Sequence, residues 1–202
     1  MKLLLFSDLH ADVGAAERLV ALGADADLWV GAGDFGNLRR QVDVCLRVLG
    51  RVGKPAVLVP GNNESDEELR KAAAEAWPAA RVLHGQGTTI SGVSVFGIGG
   101  GIPKTPFGPW SFDLDEVEAA KLLTSMKEQS MLVSHSPPLG HVDRDSRGRS
   151  LGSRAVLAAV ERAKPRLVVC GHIHGSAGQW SQVGESRVIN AGPQGMLCEW
   201  PS

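Results

Sequence analysis

Two hydrophobic rhythms alternate along the chain. Short, largely apolar runs recur at 3–6, 28–30, 56–59, 93–98, 131–133, 167–170 and 188–189. Runs of this length without polar alternation predict strands buried on both faces. Between them, apolar residues spaced by three and four among good helix formers predict helices over 13–23, 38–49, 66–77, 114–126 and 154–163. Ser65 and Glu68 have the spacing of a capping box and Asp113 and Glu116 imitate it, while Pro78 and Pro165 stand where helices should stop. The alternation predicts an α/β architecture with a parallel-rich sheet. Two stretches break the rhythm: 97–110, rich in Gly and Pro, and 136–152, which carries Arg144, Arg147 and Arg149. Both are expected to be long loops bordering whatever site the fold presents.

A length of 202 residues fits one domain spanning 1–202. Charge changes the picture mainly by exclusion. Lys and Arg number 21 against 22 Asp and Glu, so the basic surplus that draws a protein to nucleic acid is missing. No apolar run approaches the length of a membrane span. Cys45, Cys170 and Cys198 are odd in number and far apart, which predicts neither a disulfide framework nor a zinc ribbon and fits a soluble protein of the cytoplasm. The oligomeric state has no signal in the sequence.

The chemistry concentrates where the apolar runs stop. The run 3–6 leads into Asp8 and His10, 28–30 into Asp34, 56–59 into Asn62, 131–133 into His135, and 167–170 into His172 and His174. In an open α/β sheet, ligands gather beyond the carboxyl ends of the strands, so these side chains are expected to converge. Gly33, Gly61 and Gly171 directly precede three of them and allow close backbone approach. A mixture of imidazole, carboxylate and amide oxygen suits Mn, Fe, Zn or Ni, and the lack of thiolates argues for an open catalytic site over a structural zinc site. One isolated Asp at a strand end is more often a turn or cap residue; the constellation carries the argument.

The blocks Asp8-Leu9-His10, Gly33-Asp34, Gly61-Asn62-Asn63-Glu64, Ser134-His135 and Gly171-His172-Ile173-His174 stand in an order that resembles the calcineurin-like metallophosphoesterases over nearly the whole chain. The resemblance implies a four-layer α/β/β/α sandwich, two mixed sheets flanked by helices. It also implies two divalent ions, one held by Asp8, His10 and His174, the other by Asn62, His135 and His172, with Asp34 bridging them. The implied activity is hydrolysis of a small-molecule phosphomonoester or phosphodiester, with a hydroxide shared by the two ions as nucleophile. Family members usually carry histidine after the Gly-Asn pair, where this chain has Asn63. A carboxamide can donate a hydrogen bond to substrate but cannot deliver a proton, so Asn63 is expected to act in binding and catalysis differently from that histidine, with His84, His141 or water as other donors. Glu64 is expected to support the ligands from behind or to start the next helix.

Arg144 and Arg147 are expected to contact the substrate phosphate, with a hydrated loop as the plainer alternative. Trp110 either lines the cleft or packs. Residues 31–36 match the G-x-G-x-x-G dinucleotide fingerprint, but Asp34 would stand in the turn that must cradle pyrophosphate and would repel it. The remaining alternative is a metal-binding scaffold of the same fold without useful turnover.

Overall fold

The computed structural model describes residues 1–128 and 130–200. Four strands, β1 (Lys2–Phe6), β2 (Leu28–Gly31), β3 (Ala56–Leu58) and β4 (Ala80–Val82), run parallel. With β11 (Met196–Glu199) antiparallel to β1, they form a sheet of order β11-β1-β2-β3-β4. The second sheet has the order β5-β6-β7-β8-β10-β9. It comprises β5 (Gln86–Ile90), β6 (Val93–Ile98), β7 (Met131–Ser134), β8 (Leu167–Cys170), β9 (Trp180–Val183) and β10 (Ser186–Asn190). Its inner pairs are parallel, while β5 and β9 pair antiparallel at its edges.

Side-chain alternation divides the apolar residues among three cores. Along β1, Leu4 and Phe6 point outward to α1 (Val13–Leu22), α2 (Val42–Leu49) and α3 (Asp66–Ala76), where they meet Leu19, Leu46 and Leu69. Leu3 and Leu5 point the other way and join Val57, Val95, Met131 and Val169 between the sheets. On the far side, Leu132 and Val168 meet Ala119 and Val156 of α4 (Glu116–Leu123) and α5 (Arg154–Ala163). Burial on both faces is what makes the inner strands continuous apolar runs. The result is the expected helix, sheet, sheet, helix layering. No helix among the described residues is long and apolar enough to cross a membrane.

Several expectations are corrected. The helix expected over 38–49 begins only at Val42. Before it Leu38, Arg39 and Gln41 take left-handed backbone, because Leu38 N and Arg39 N donate to the Asn63 side-chain and main-chain oxygens at 2.9 Å each. The capping box before α4 is Asp115 with Glu118, not Asp113 with Glu116. Asp113 accepts from Thr105 and Ser111 instead, and Glu116 accepts from Ser153 Oγ and the first N–H groups of α5. The box at Ser65 and Glu68 is present as expected.

Candidate metal centre

Each candidate ligand sits one to four residues past a strand, and the turns that carry them interlock through the backbone. Asp8 N donates to Gly33 O and His10 N to Asp34 O, both at 2.9 Å, which ties the turn after β1 to the turn after β2. Gly171 N donates to His135 O at 3.0 Å, which does the same for β8 and β7. The Asn190 amide, at the end of β10, donates to Gly171 O and Ile173 O and holds the loop bearing His172 and His174. Four candidate ligands, Asp8, His10, Asp34 and His172, have φ of 58°, 46°, 59° and 66°. Left-handed backbone costs a residue with a side chain about 1 kcal/mol or more. The surrounding hydrogen bonds sustain it. Gly61 is a glycine for a visible reason, since a Cβ there would collide with the Asp34 carboxylate.

These turns bring together side chains scattered from position 8 to 174. Asp8, His10 and His174 present ligand atoms within 4.8 Å of one another, and so do Asp8, Asp34 and His135. His10 Nε2 lies 3.1 Å from His174 Nε2, and His135 Nε2 lies 3.3 Å from Asn62 Oδ1. His174 Nε2 is 3.6 Å from Asp8 Oδ1. The His172 ring centroid is 4.8 Å from that of His135. Nitrogen and oxygen lone pairs crowded this closely fit cations of the borderline type.

Outer groups aim the inner ones. His135 Nδ1 donates to Ala32 O at 2.7 Å, which turns Nε2 toward Asp34 and Asn62. Asn62 Nδ2 donates to Ser111 Oγ at 3.2 Å, so its carbonyl oxygen points to His135. Ser7 Oγ takes a hydrogen bond from Gly192 N and gives one to Asp8 Oδ2. Glu64, fully buried, accepts from Asp34 N, Gly61 N and Gly36 N. It therefore joins the turns after β2 and β3 as well as preceding α3.

Asn63 is tied at both ends: Oδ1 accepts from Leu38 N, and Nδ2 donates to Asp34 Oδ2 at 2.8 Å. Its own N–H donates to Asp34 Oδ1.

Electrostatics follow from this packing. Burial raises the Asp8 carboxyl, but the adjacent His174 imidazole, the field of His135 and the Ser7 hydroxyl outweigh it and bring it below its ordinary value. Burial and then the neighbouring Asp34 charge push Glu64 up to about 7 against its backbone donors. Burial, with His135 adding to it, lowers His172 to about 4, so its ring is neutral and able to coordinate. The Asp8 carboxylate, 3.6 Å away, raises His174.

Beside the cage opens a cavity of about 680 Å³. His10, Asp34, Asn62, Asn63, His172 and His174 are among the residues that line it. Arg149 lines it, whereas Arg144 and Arg147, the arginines expected at the phosphate, do not. Arg144 Nη1 turns back to Gly148 O within its own loop. Arg147 stands exposed while its backbone N–H donates to Asp145 Oδ1. His84 and His141 also lie away from the lining; His84 Nδ1 accepts from Gly99 N, and His141 Nδ1 is 3.4 Å from Ser181 Oγ. Leu38, Lys104, Phe107 and Leu151 line the cavity without having been singled out in the sequence. An exposed aromatic in a Gly- and Pro-rich loop was the available signal for Phe107.

Comparison with known proteins places this architecture. The chain is 28% identical over 190 residues to UPF0046 protein K07C11.7 of Caenorhabditis elegans, which covers 83% of this chain. It spans 62% of the length of that curated relative. Among solved structures, it is similar to TT1561 of Thermus thermophilus, with TM-score 0.73, 22% identity, and coverage of 96% of this chain and 90% of that one. A dimetal phosphatase from Danio rerio aligns with TM-score 0.62 at 12% identity, covering 94% of this chain and 86% of its own. Likenesses at such low identity establish the shared fold. The sequence pattern described as calcineurin-like phosphoesterase matches residues 1–176, strand ends and candidate ligands included, and the chain belongs to that family.

Proposed function

We propose that the chain, as one metallophosphoesterase domain, is a dinuclear metal-dependent hydrolase of small-molecule phosphoesters, monoesters or diesters. The observation that carries this reading is the Asp34 carboxylate. Its Oδ1 lies 3.6 Å from His135 Nε2 and its Oδ2 3.7 Å from His10 Nε2, so one side chain faces candidate ligands from both sheets. That geometry supports Asp8, His10 and His174 for one ion, Asn62, His135 and His172 for the other, and Asp34 for both. Two divalent ions there, Mn, Fe, Zn or Ni, would supply Lewis acidity toward phosphoryl oxygens and a water-derived nucleophile at neutral pH.

The chain's own groups determine the rest. The Asn63 amide has one hydrogen left after binding Asp34, and Asn63 lines the cavity in which the phosphate or leaving oxygen would sit. It can stabilise charge there but not transfer a proton, so rates should fall steeply as the leaving group becomes more basic. Arg149, rather than Arg144 or Arg147, is the guanidinium at the cavity wall. The free, buried Cys45, Cys170 and Cys198 agree with work in a reducing cytoplasm.

The test is elemental analysis of Mn-reconstituted protein, with turnover of bis(4-nitrophenyl) phosphate and 4-nitrophenyl phosphate. Two ions per chain and hydrolysis of at least one ester are expected. Full loading with no turnover of either would favour the non-catalytic scaffold.

A further inference from the structure

The cavity has a second, apolar side that the metal cage does not use. Among the described residues nine large apolar side chains are exposed, and three of them, Leu38 at 55%, Phe107 at 54% and Leu151 at 41%, line this one cavity. Exposed apolar groups gathered into a cleft mark recognition of the organic part of a ligand. Phe107 lies against Trp110 with ring centroids 5.9 Å apart and planes 13° apart, so one ring backs the other.

The loop bearing this pair is fixed from behind. Trp110 O accepts from Arg39 Nη1 at 3.3 Å, and Thr105 N and Ser111 Oγ donate to Asp113 at 2.9 Å each. Phe112 N donates to Asn62 O at 3.0 Å, which sets the aromatic wall in register with a candidate ligand. Such a wall is organised before anything binds.

The cations of the wall are matched. Arg149 contacts Asp145 Oδ2 through Nε at 2.8 Å and Nη2 at 2.7 Å. Lys104 Nζ lies 3.7 Å from both Asp115 and Glu118. Asp145 itself lines the cavity. An anionic group beyond the reacting phosphate would meet no unmatched cation there and would face a carboxylate.

We propose that the wall of Phe107, Trp110, Leu38 and Leu151 selects phosphoesters that carry a flat, uncharged aromatic group on the reacting phosphate. The aromatic ring stacks on the open face of Phe107 while the phosphate lies on the cage floor. This inference rests on the phosphoesterase reading.

Isothermal titration of the Mn-loaded protein with diphenyl phosphate, diethyl phosphate and bis(4-carboxyphenyl) phosphate tests it, because all three are diesters and the readout is binding. Diphenyl phosphate should bind about tenfold tighter than diethyl phosphate, the size expected of aromatic stacking. Phe107→Ala should remove most of that gap, Phe107→Tyr should keep it, and the dicarboxylate should bind more weakly than diphenyl phosphate. Equal binding of the phenyl and ethyl diesters, a gap that survives Phe107→Ala, or tight binding of the dicarboxylate would overturn the proposal. Mn content and bis(4-nitrophenyl) phosphate turnover of the same preparations separate the two readings. A loaded, active protein without the phenyl preference refutes the aromatic wall alone. A protein that holds no Mn and cleaves no ester refutes the phosphoesterase reading with it.

Discussion

The two sheets contribute unlike halves of the candidate metal site. The sheet built on β1, β2 and β3 supplies Asp8, His10, Asp34 and Asn62, including both carboxylates. The sheet built on β7 and β8 supplies only imidazoles, His135, His172 and His174. Candidate anionic ligands are thus on one side and imidazole donors on the other. Neither sheet holds the whole candidate set, so the packing between them is itself part of the candidate site.

The largest expected effect breaks the comparison at its shared member. Asp34→Asn should cost metal on both sides of the cage, whereas His174→Ala should cost one ion only. Because loss of a mere supporting group typically costs 10- to 100-fold, Asp34→Asn should lower turnover by more than about 100-fold. Elemental analysis and bis(4-nitrophenyl) phosphate assays of both variants read this directly.

Next in size are two core truncations. Leu5→Ala lies between the sheets and Leu46→Ala in the outer layer, and both side chains are fully buried. Each should destabilise by about 2–5 kcal/mol in urea unfolding. Only Leu5→Ala should also weaken Mn binding, because only it disturbs the spacing of the two half-cages. Equal effects on Mn affinity would show that the sheets position their ligands independently.

Asn63→His alters the carboxylate side alone by adding a proton donor. Turnover of esters with basic leaving groups should rise by up to about 100-fold, with little change for nitrophenyl esters. A parallel shift across a leaving-group series would remove proton donation as the explanation.

The smallest effect falls on the crossing between sheets, where His84 lies between β4 and β5. Burial lowers the His84 pKa below 6.5, and its Nδ1 accepts from Gly99 N at 3.1 Å. The folded state therefore binds fewer protons than the unfolded chain. This contribution is complete above pH 6.5 and is lost as pH falls through the lowered folded value. Protonating Nδ1 breaks the hydrogen bond, so the change should be about 1 kcal/mol or less. Comparing urea midpoints at about pH 7.5 and about pH 5.5, His84→Gln should show a smaller acid loss than the unsubstituted chain.

The same contrast explains what could be read from the sequence. Strands buried on both faces announce themselves as apolar runs, and β1, β2, β3, β6, β7, β8 and β10 were all legible. The strands that escaped, β4, β5, β9 and β11, are the four sheet edges. Their residues are half-exposed, as in Gln86–Ile90 and Trp180–Val183, so no such run forms. Candidate ligands were legible because each follows a legible strand. The cavity wall was legible only as the two loops expected to border the site, with Trp110 as one candidate; which other side chains line it was not, since loop paths depend on specific hydrogen bonds without a period. Asp143 shows this, its carboxylate accepting from Gly140 N, Ser150 Oγ and Gly152 N to shape the segment that presents Arg149 and Leu151.

The left-handed turns at Asp8, His10, Asp34 and His172 also constrain what mutation can make of this chain. Glycine, asparagine and aspartate tolerate such backbone, and β-branched or bulky residues resist it. A lineage that abandons the chemistry would therefore exchange its acids for asparagine or glycine before it abandons the turns. Its descent would stay written in the path of the main chain after the last ligand had been replaced.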